Sequence, residues 1–195
     1  MIVRLSLYGL IFFSFLKGSP LSDLDSLKIG LQFFRWKKID VELNQFQYGQ
    51  IYNSNLSVFF IDSTDYLIES KEQDIFVSGN NIKTYNKNTK QLIIDERLPE
   101  DRDFFSILTG DISGISITNK RNEKGLITFS FEMKDFGMKG TISVTSGNWH
   151  FENLYVDYDK DNWINLQIYS WQILRGSYIF SEFGKEAMEV IDLRE

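Results

Sequence analysis

The sequence predicts a mainly β (α+β) protein, an incomplete antiparallel β-barrel of about eleven strands with short helices covering its mouth. From Ile39 onward, apolar residues alternate with polar ones at a period of two, and polar turns separate the apolar runs. Only two short segments have helical spacing. Because two short helices cannot cover so long a sheet, and because such a sheet normally curls or closes, we expect a half-open barrel.

Composition limits the function classes. The chain has 195 residues, a net charge of -6, one His and no Cys. This length fits one domain, and the acidic balance argues against nucleic acid as a partner. The Cys and His counts exclude a disulfide scaffold, a Cys/His zinc site and a cysteine nucleophile, so we expect no metal and no cofactor.

The N-terminus has the pattern of a secretory signal peptide. Arg4 precedes an apolar run from Leu5 to Leu16, and Lys17 and Gly18 follow. The run is shorter than the ~20 residues that a membrane-spanning helix needs; a short N-terminal core helix is the alternative. We expect cleavage after Gly18, which leaves a domain of residues 19–195. Without Cys that domain has no site for a lipid anchor, so we expect it to be soluble after export.

The first helix is predicted at about Ser22 to Phe34. Ser22 and Asp25 resemble a capping box, and the following apolar residues recur every three or four positions. These residues are Leu24, Leu27, Leu31 and Phe34.

Eleven strands are predicted after this helix, and a meander is the simplest topology because tight polar turns connect them. Their expected bounds are Ile39–Gln47, Gln50–Ile61, Asp65–Ser70, Asp74–Ser78, Asn81–Asn86, Gln91–Asp95, Gly114–Asn119, Leu126–Lys134, Lys139–Thr145, Trp149–Tyr158 and Trp163–Ile173.

A second short helix is predicted from Arg102 to Thr109, between Pro99 and Gly110. Phe104 and Phe105 are adjacent, so their side chains point about 100° apart on a helix. The helix therefore has more apolar surface than one stripe requires, and part of that surface needs a second partner.

The residues that could support catalysis do not form a recognisable site. Asp157, Asp159 and Asp161 superficially match the start of a calcium loop, but a charged hairpin turn is favoured because strands flank them. His150 lies within a predicted strand, and no nucleophile elbow accompanies it. No carboxylate pair is singled out for glycoside hydrolysis. Because only the fold can bring two carboxylates together, the sequence leaves that pairing open, and we expect a binding protein and not an enzyme.

The candidate binding residues are apolar side chains that alternation places on shared strand faces, together with those of the second helix. They either fill a packed core or leave space for an apolar guest. These candidates are Val58, Phe60, Ile68, Phe76, Ile82, Phe104, Phe105, Leu108, Ile127, Phe129, Phe131, Met133, Ile142 and Val144.

Three stretches resemble the LolA family of periplasmic lipoprotein carriers. Asp74–Asn86, followed by Asn88–Ile94, is similar to a hairpin of that family, although its turn is one residue shorter. Asp103–Gly110 resembles the short helix that follows, and Phe183 with Met188–Arg194 resembles the closing segment. The order of elements agrees over nearly all of residues 19–195.

The resemblance implies an incomplete barrel whose concave face holds acyl chains beneath helices that act as a lid. It implies a monomeric chaperone that takes acylated lipoproteins from an inner-membrane releasing transporter toward the outer membrane, where a receptor is a further candidate partner. Carriers of this family often have an Arg near the position of Ile61-Asp62-Ser63, which helps keep the lid shut; this chain has none there.

Two other functions remain open from the sequence. One is a related barrel domain that senses lipoproteins or lipids for an envelope regulator. The other is a secreted carbohydrate-binding protein that uses its four Trp residues, Trp36, Trp149, Trp163 and Trp171, as stacking platforms.

Overall fold

The described residues form one open sheet of twelve strands with two short α-helices. The structure is a computed structural model, and it describes residues 22–31, 37–62, 64–97, 104–110, 112, 114–147, 149–159, 161–174 and 183–194. The helices are α1 (Asp23–Leu31) and α2 (Phe104–Leu108). The strands are β1 (Lys37–Gln47), β2 (Gln50–Phe60), β3 (Asp65–Glu69), β4 (Gln73–Ser78), β5 (Asn81–Asn86), β6 (Gln91–Glu96), β7 (Ser116–Glu123), β8 (Leu126–Met133), β9 (Met138–Thr145), β10 (Phe151–Asp159), β11 (Asn162–Ile173) and β12 (Glu189–Asp192).

The sheet consists of two meanders that meet at one seam. Strands β1 to β6 pair with their chain neighbours, and so do β7 to β11. Antiparallel pairing of β1 with β11 joins the two meanders. The short strand β12 then adds to the edge of β6 in parallel orientation. Strands β12 and β7 are the two edges, so the sheet does not close on itself.

The eleven predicted strands are confirmed, with ends that differ by a few residues. The structure adds β12, which was not among the predicted strands, and its pairing is parallel and not antiparallel. The first helix is described up to Leu31, and its predicted continuation to Phe34 lies outside the described residues. The second helix is described from Phe104 to Leu108; the predicted helical residues Arg102 and Asp103 also lie outside the described part, and Thr109 is in a turn. The predicted signal peptide, residues 1–18, also lies outside the described residues.

Local sequence explains the hairpins and the first helix cap. At the β1–β2 turn, Tyr48 and Gly49 both have positive φ, 51° and 80°. Such two-residue turns match the twist of antiparallel strands. The Ser22 hydroxyl accepts a hydrogen bond from the Asp25 backbone N–H at 3.1 Å, which confirms the predicted cap.

One face of the sheet, called here the inner face, is apolar. Side chains of β1 to β3 and β8 to β11 on this face belong to one hydrophobic cluster. Leu27 of α1 and the buried side chains of α2 belong to the same cluster. Both helices therefore pack against the inner face, and no second sheet covers it within the described residues.

The opposite face, called here the outer face, has a small apolar cluster at the β12 end. Phe59 and Leu67 are buried there, and they are cross-strand partners. Leu92 of β6 is also buried. A Cβ on Gly184 would lie 2.8 Å from Leu92, so the segment before β12 lies directly on this cluster.

Candidate functional site

The inner face brings together most of the predicted binding residues. Nearly all of them are buried in the single hydrophobic cluster of that face. The buried members are Val58, Phe60, Ile68, Phe105, Leu108, Ile127, Phe129, Phe131, Met133, Ile142 and Val144. Ile82 is half-buried and packs against them. The described cluster is thus closely packed, with side chains in contact with each other.

Strand register places these side chains side by side. Val58 lies opposite Ile68, and Phe129 lies opposite Ile142. Phe131 lies opposite Gly140, where an added Cβ would sit 2.8 Å from the Phe131 ring. It would also sit 2.1 Å from the Tyr155 backbone oxygen. Gly140 is therefore required by the close approach of the strand backbone and the aromatic ring.

The described apolar side chains of helix α2 belong to the hydrophobic cluster of the inner face. The Phe105 and Tyr66 rings lie 6.4 Å apart, and the Tyr66 and Phe60 rings lie 6.0 Å apart. Leu108 is fully buried. The side chain of Phe104, another candidate, lies outside the described part. The helix is thus held against the sheet by the packing of its apolar side chains.

Phe76 lies apart from the other candidates, because it is on the outer face. It is the cross-strand partner of Leu67, while its neighbours Ile75 and Val77 face inward. Its ring lies 5.7 Å from that of Phe183. The prediction placed Phe76 among the cavity residues, and the register corrects this: one position along a strand reverses the face.

Sequence reasoning missed several residues of the inner face. Ile39 and Val41 of β1 are fully buried, and so are Leu154 and Leu166. The alternation of Ile39, Val41 and Leu43 contained the signal for β1. Leu27 of α1 was predicted to be helical, but its contact with the sheet depends on tertiary packing.

A cluster of aromatic and basic side chains lies at the end of the inner face where β1 begins and β11 ends. Lys37 is buried there, with its Nζ 4.8 Å from the centre of the Trp171 ring. Burial lowers the pKa of Lys37 to about 8. The His150 ring meets Trp171 edge-on at 4.9 Å. Trp149, at φ 56°, stacks on Phe129 at 6.1 Å.

The candidate calcium loop is a hairpin turn between β10 and β11, as the sequence favoured. The Asp159 carboxylate accepts hydrogen bonds from the Asn162 side chain and from the Asp161 backbone N–H, each at 2.8 Å. These bonds hold the pKa of Asp159 below its usual value. Within the described ranges, no group of three or more His, Asp or Glu side chains could hold a metal ion.

These features define a class: a mostly β protein with one open sheet, few helices and an apolar inner face. None of the helices in the described part is long and apolar enough to cross a membrane.

The sequence matches no protein-family model and no curated protein. Among solved structures, the chain is similar to an uncharacterized conserved protein from Thermus thermophilus. The two share 8% identity at a TM-score of 0.54, over 88% of this chain and 98% of that one. This likeness shows a common fold.

Two further solved structures are also among its neighbours. A LolA superfamily protein from Nitrosomonas europaea is 10% identical at a TM-score of 0.45, covering 82% of this chain and 96% of that one. A DUF1329 family protein from Desulfovibrio piger is 8% identical at a TM-score of 0.49, covering 84% and 97%. The first of these two proteins bears the name of the family that three stretches of the sequence resemble.

Proposed function

We propose that this protein is a non-enzymatic periplasmic carrier that binds the acyl chains of lipoproteins and transports them from the inner to the outer membrane. The observation that carries the proposal is the apolar inner face of an open sheet, packed against two short helices. The resemblance of the hairpin, the short helix and the closing segment to lipoprotein carriers supports the same function.

Ligand entry requires that some contacts of the closely packed inner face be exchanged for contacts with the acyl chain. Phe105 and Leu108 of α2 bury apolar surface against the sheet. An acyl chain offers equivalent surface, and each methylene buried stabilises by ~0.8 kcal/mol. An acyl chain of several methylenes therefore replaces the contacts of α2 with the sheet. Helix α2 acts as a lid over the mouth of the sheet, and it moves away when the ligand enters. Met133 and the Phe side chains adapt to ligands of different shape.

Loading and release require partners. Removing a lipid anchor with several acyl chains from a membrane costs ~0.8 kcal/mol for each methylene exposed to water, and the sequence has no phosphate-binding loop through which a nucleotide could supply that energy. We therefore propose an inner-membrane lipoprotein-releasing transporter as the partner for loading, with an outer-membrane receptor as the further candidate.

A binding measurement with a matched pair of ligands tests the proposal. The full chain is titrated with a triacylated lipopeptide and with the same peptide lacking acyl chains, using tryptophan fluorescence and calorimetry. We expect binding of the acylated form alone. Phe105→Ala should raise the affinity for the acylated peptide, because it removes a contact of α2 with the sheet that competes with the ligand. The control, Phe46→Ala on the outer face, should leave the affinity unchanged.

Two results would contradict the proposal. One is a folded protein that does not bind the lipopeptide at micromolar concentrations. The other is equal binding of the acylated and non-acylated peptides.

One observation favours the second candidate, a domain that senses lipids or lipoproteins for an envelope regulator. Val190 in the edge strand β12 is an exposed apolar side chain, and so are Met188 and Leu193 on either side of the strand. An edge strand with exposed apolar residues can pair with a strand of a partner. This second function can be tested by placing a photoreactive residue at position 190 and crosslinking in cells. If the function is correct, one regulatory protein should be captured.

A further inference from the structure

The outer face near the seam has two adjacent rows of polar side chains, called here the amide rows. Each row crosses seven strands, from β2 to β7, through direct cross-strand partners. The first row is Asn53, Asn44, Asn165, Tyr155, Thr141, Ser130 and Asn119. The second row is Asn55, Glu42, Gln167, Asn153, Ser143, Thr128 and Arg121. At ~4.8 Å between strands, each row is about 29 Å long.

The amide rows oppose strand propensity. Asn is depleted in strands because its side chain competes for backbone hydrogen bonds. Thr, Lys or Arg would make an exposed strand face soluble without that disadvantage. Six of the fourteen positions are nevertheless Asn and one is Gln. Local disagreement between sequence and structure of this kind is expected at functional sites.

Several of these groups retain hydrogen-bonding capacity. The Asn153 amide donates to Asn165 Oδ1 at 2.7 Å, which orients both side chains. Asn53, Asn55 and Gln167 are exposed, and their side chains have no hydrogen-bond partner within the described residues. The rows therefore present oriented amides together with donors and acceptors that a ligand can use.

An aromatic strip borders the amide rows. The Phe46 and Trp163 rings are stacked at 6.1 Å with an interplanar angle of 16°. The Tyr155 ring lies 6.1 Å from Trp163 on the other side. All three side chains are half-buried on the outer face. Their rings offer an apolar surface beside hydrogen-bonding groups.

A groove continues from the strip over β7 to β9. Its volume is about 500 Å³, within the usual range for small-ligand sites. Thr141, which lines it, is the cross-strand partner of Tyr155, so the groove and the strip are contiguous. Ser130 and Thr128 add hydroxyl groups to the groove.

Charge indicates the class of ligand. The first row has no charged side chain, and the second has one acidic and one basic residue, Glu42 and Arg121. The groove adds one charge of each sign, on Glu123 and Lys124. The amide rows are thus electrically neutral, although the chain has a net charge of -6. A neutral ligand with many hydroxyl groups and apolar ring faces complements this surface. These are the properties of a pyranose oligosaccharide.

We propose that the outer face, from the Phe46–Trp163–Tyr155 strip to the groove over β7 to β9, binds a neutral oligosaccharide. The sugar rings stack on the aromatic strip, and their hydroxyl groups bond to the amides and hydroxyls of the rows. This site uses fewer Trp residues than the carbohydrate-binding function considered from the sequence, in which all four Trp residues are stacking platforms. Trp149 packs on the inner face and Trp36 lies outside the described residues, so Trp163 is the Trp that the site uses. The site is separate from the inner face and does not depend on the proposed lipid binding.

Calorimetry with three neutral trisaccharides tests the site on the full chain: maltotriose, cellotriose and triacetylchitotriose. We expect at least one to bind. Trp163→Thr should weaken that binding about tenfold, since a stacked ring contributes on the order of 1 kcal/mol. Asn165→Thr should weaken it about threefold or more. Thr suits strands, so neither change is expected to disrupt the sheet.

The control is Tyr52→Thr, which removes an exposed aromatic from the other face of β2. It should leave the affinity for the trisaccharide unchanged, and Trp163→Thr should leave lipopeptide binding unchanged. If Trp163→Thr does not fold, the site is tested by Asn165→Thr and by mapping the amide chemical shifts of the wild type on addition of the trisaccharide. We expect the shifts to change at Asn44, Thr141 and Tyr155.

Three outcomes overturn the proposal. The first is no binding of any of the three trisaccharides at millimolar concentration. The second is binding that persists unchanged in both outer-face variants. The third is concentration-dependent dimerisation that Trp163→Thr abolishes, because the face would then serve self-association.

Discussion

Two adjacent lysines in β1 have opposite environments. Lys37 is buried on the inner face beside Trp171, and Lys38 faces outward and pairs with Asp40 at 3.1 Å. Loss of hydration lowers the pKa of the buried amine to about 8, so its charged form is less favourable in the folded protein than in the unfolded chain. Proteins retain such groups where function needs them.

Lys37→Met should therefore stabilise the protein at pH 7, by roughly 1–3 kcal/mol. Between pH 8 and about 10.4 the unfolded chain keeps the proton that the folded chain has lost, so the stability of the wild type rises with pH in this window. The advantage of the variant should shrink as the pH rises through 8. Urea unfolding at pH 7 and pH 9.5 measures both values.

The matched control for this prediction is Lys38→Met, which removes an outward ion pair and should lower stability slightly. A variant of Lys37 that is less stable than the wild type at pH 7 would show that its ammonium group is well compensated.

Asp40 links three strands at the seam. Its carboxylate accepts hydrogen bonds from Ser57 of β2 and from Ser170 of β11, each at 2.6 Å. The register of β1 against β11 shifts at this position, so the residue pins a β-bulge. Burial alone would raise the pKa of Asp40, but the hydrogen bonds from Ser170, Ser57 and Lys38 lower it below its usual value.

Asp40→Asn should reduce the free energy of unfolding at pH 7 by about 1–2 kcal/mol, since bonds to a charged acceptor are stronger than bonds to an amide. The pKa of Asp40 is lower in the folded protein than in the unfolded chain, where it is about 3.9. The ionised carboxylate therefore stabilises the fold above pH 3.9, and this stabilisation is lost as the pH falls through the pKa of the folded protein. The difference between variant and wild type should thus disappear in acid. A pH-independent difference would assign the effect to packing.

At the scale of elements, α2 is the part of the inner face that an acyl ligand should displace. Its five residues have few internal hydrogen bonds, and its stability depends on packing of Phe105, Ile107 and Leu108. We expect its amides to exchange faster than those of β8, and the exchange of α2 to change when lipopeptide is added. Mass-spectrometric hydrogen exchange measures both, and equal slow exchange that ligand does not alter would refute the lid assignment.

The strands were predictable because period-two alternation is a local property of the chain. The inner face of β8 follows directly from it, since Ile127, Phe129, Phe131 and Met133 alternate with polar residues. Phe76 could not be placed, because β4 has three consecutive apolar residues and either face is compatible with the pattern.

Long-range partners were not predictable by the same means. Pairing of β1 with β11 depends on residues far apart in the chain. The four residues of β12 form a strand only because β6 offers an open edge. The amide rows were likewise invisible in the sequence, because register across seven strands assembles them.

At the scale of the whole molecule, the C-terminal segment covers the apolar cluster on the outer face. Phe183 contacts Phe76, Gly184 lies against Leu92, and β12 pairs with β6. Deletion of residues 183–195 should expose Phe59, Leu67 and Leu92 together. We expect a lower unfolding temperature and self-association, measured by calorimetry and light scattering. A monomeric, equally stable truncated chain would contradict this role of the segment.

The seam between the meanders has a consequence for the order of folding. Within each meander every strand pairs with its chain neighbour, so these contacts are local and form fast. Strands β1 and β11 are neighbours in the sheet but lie far apart along the chain. Closing so long a loop costs chain entropy, and the pairing offsets that cost only after both meanders have formed. Until then β1 and β11 are free edges, each able to pair with another chain. We therefore expect the slowest step of folding to be the one that removes two aggregation-prone edges at once.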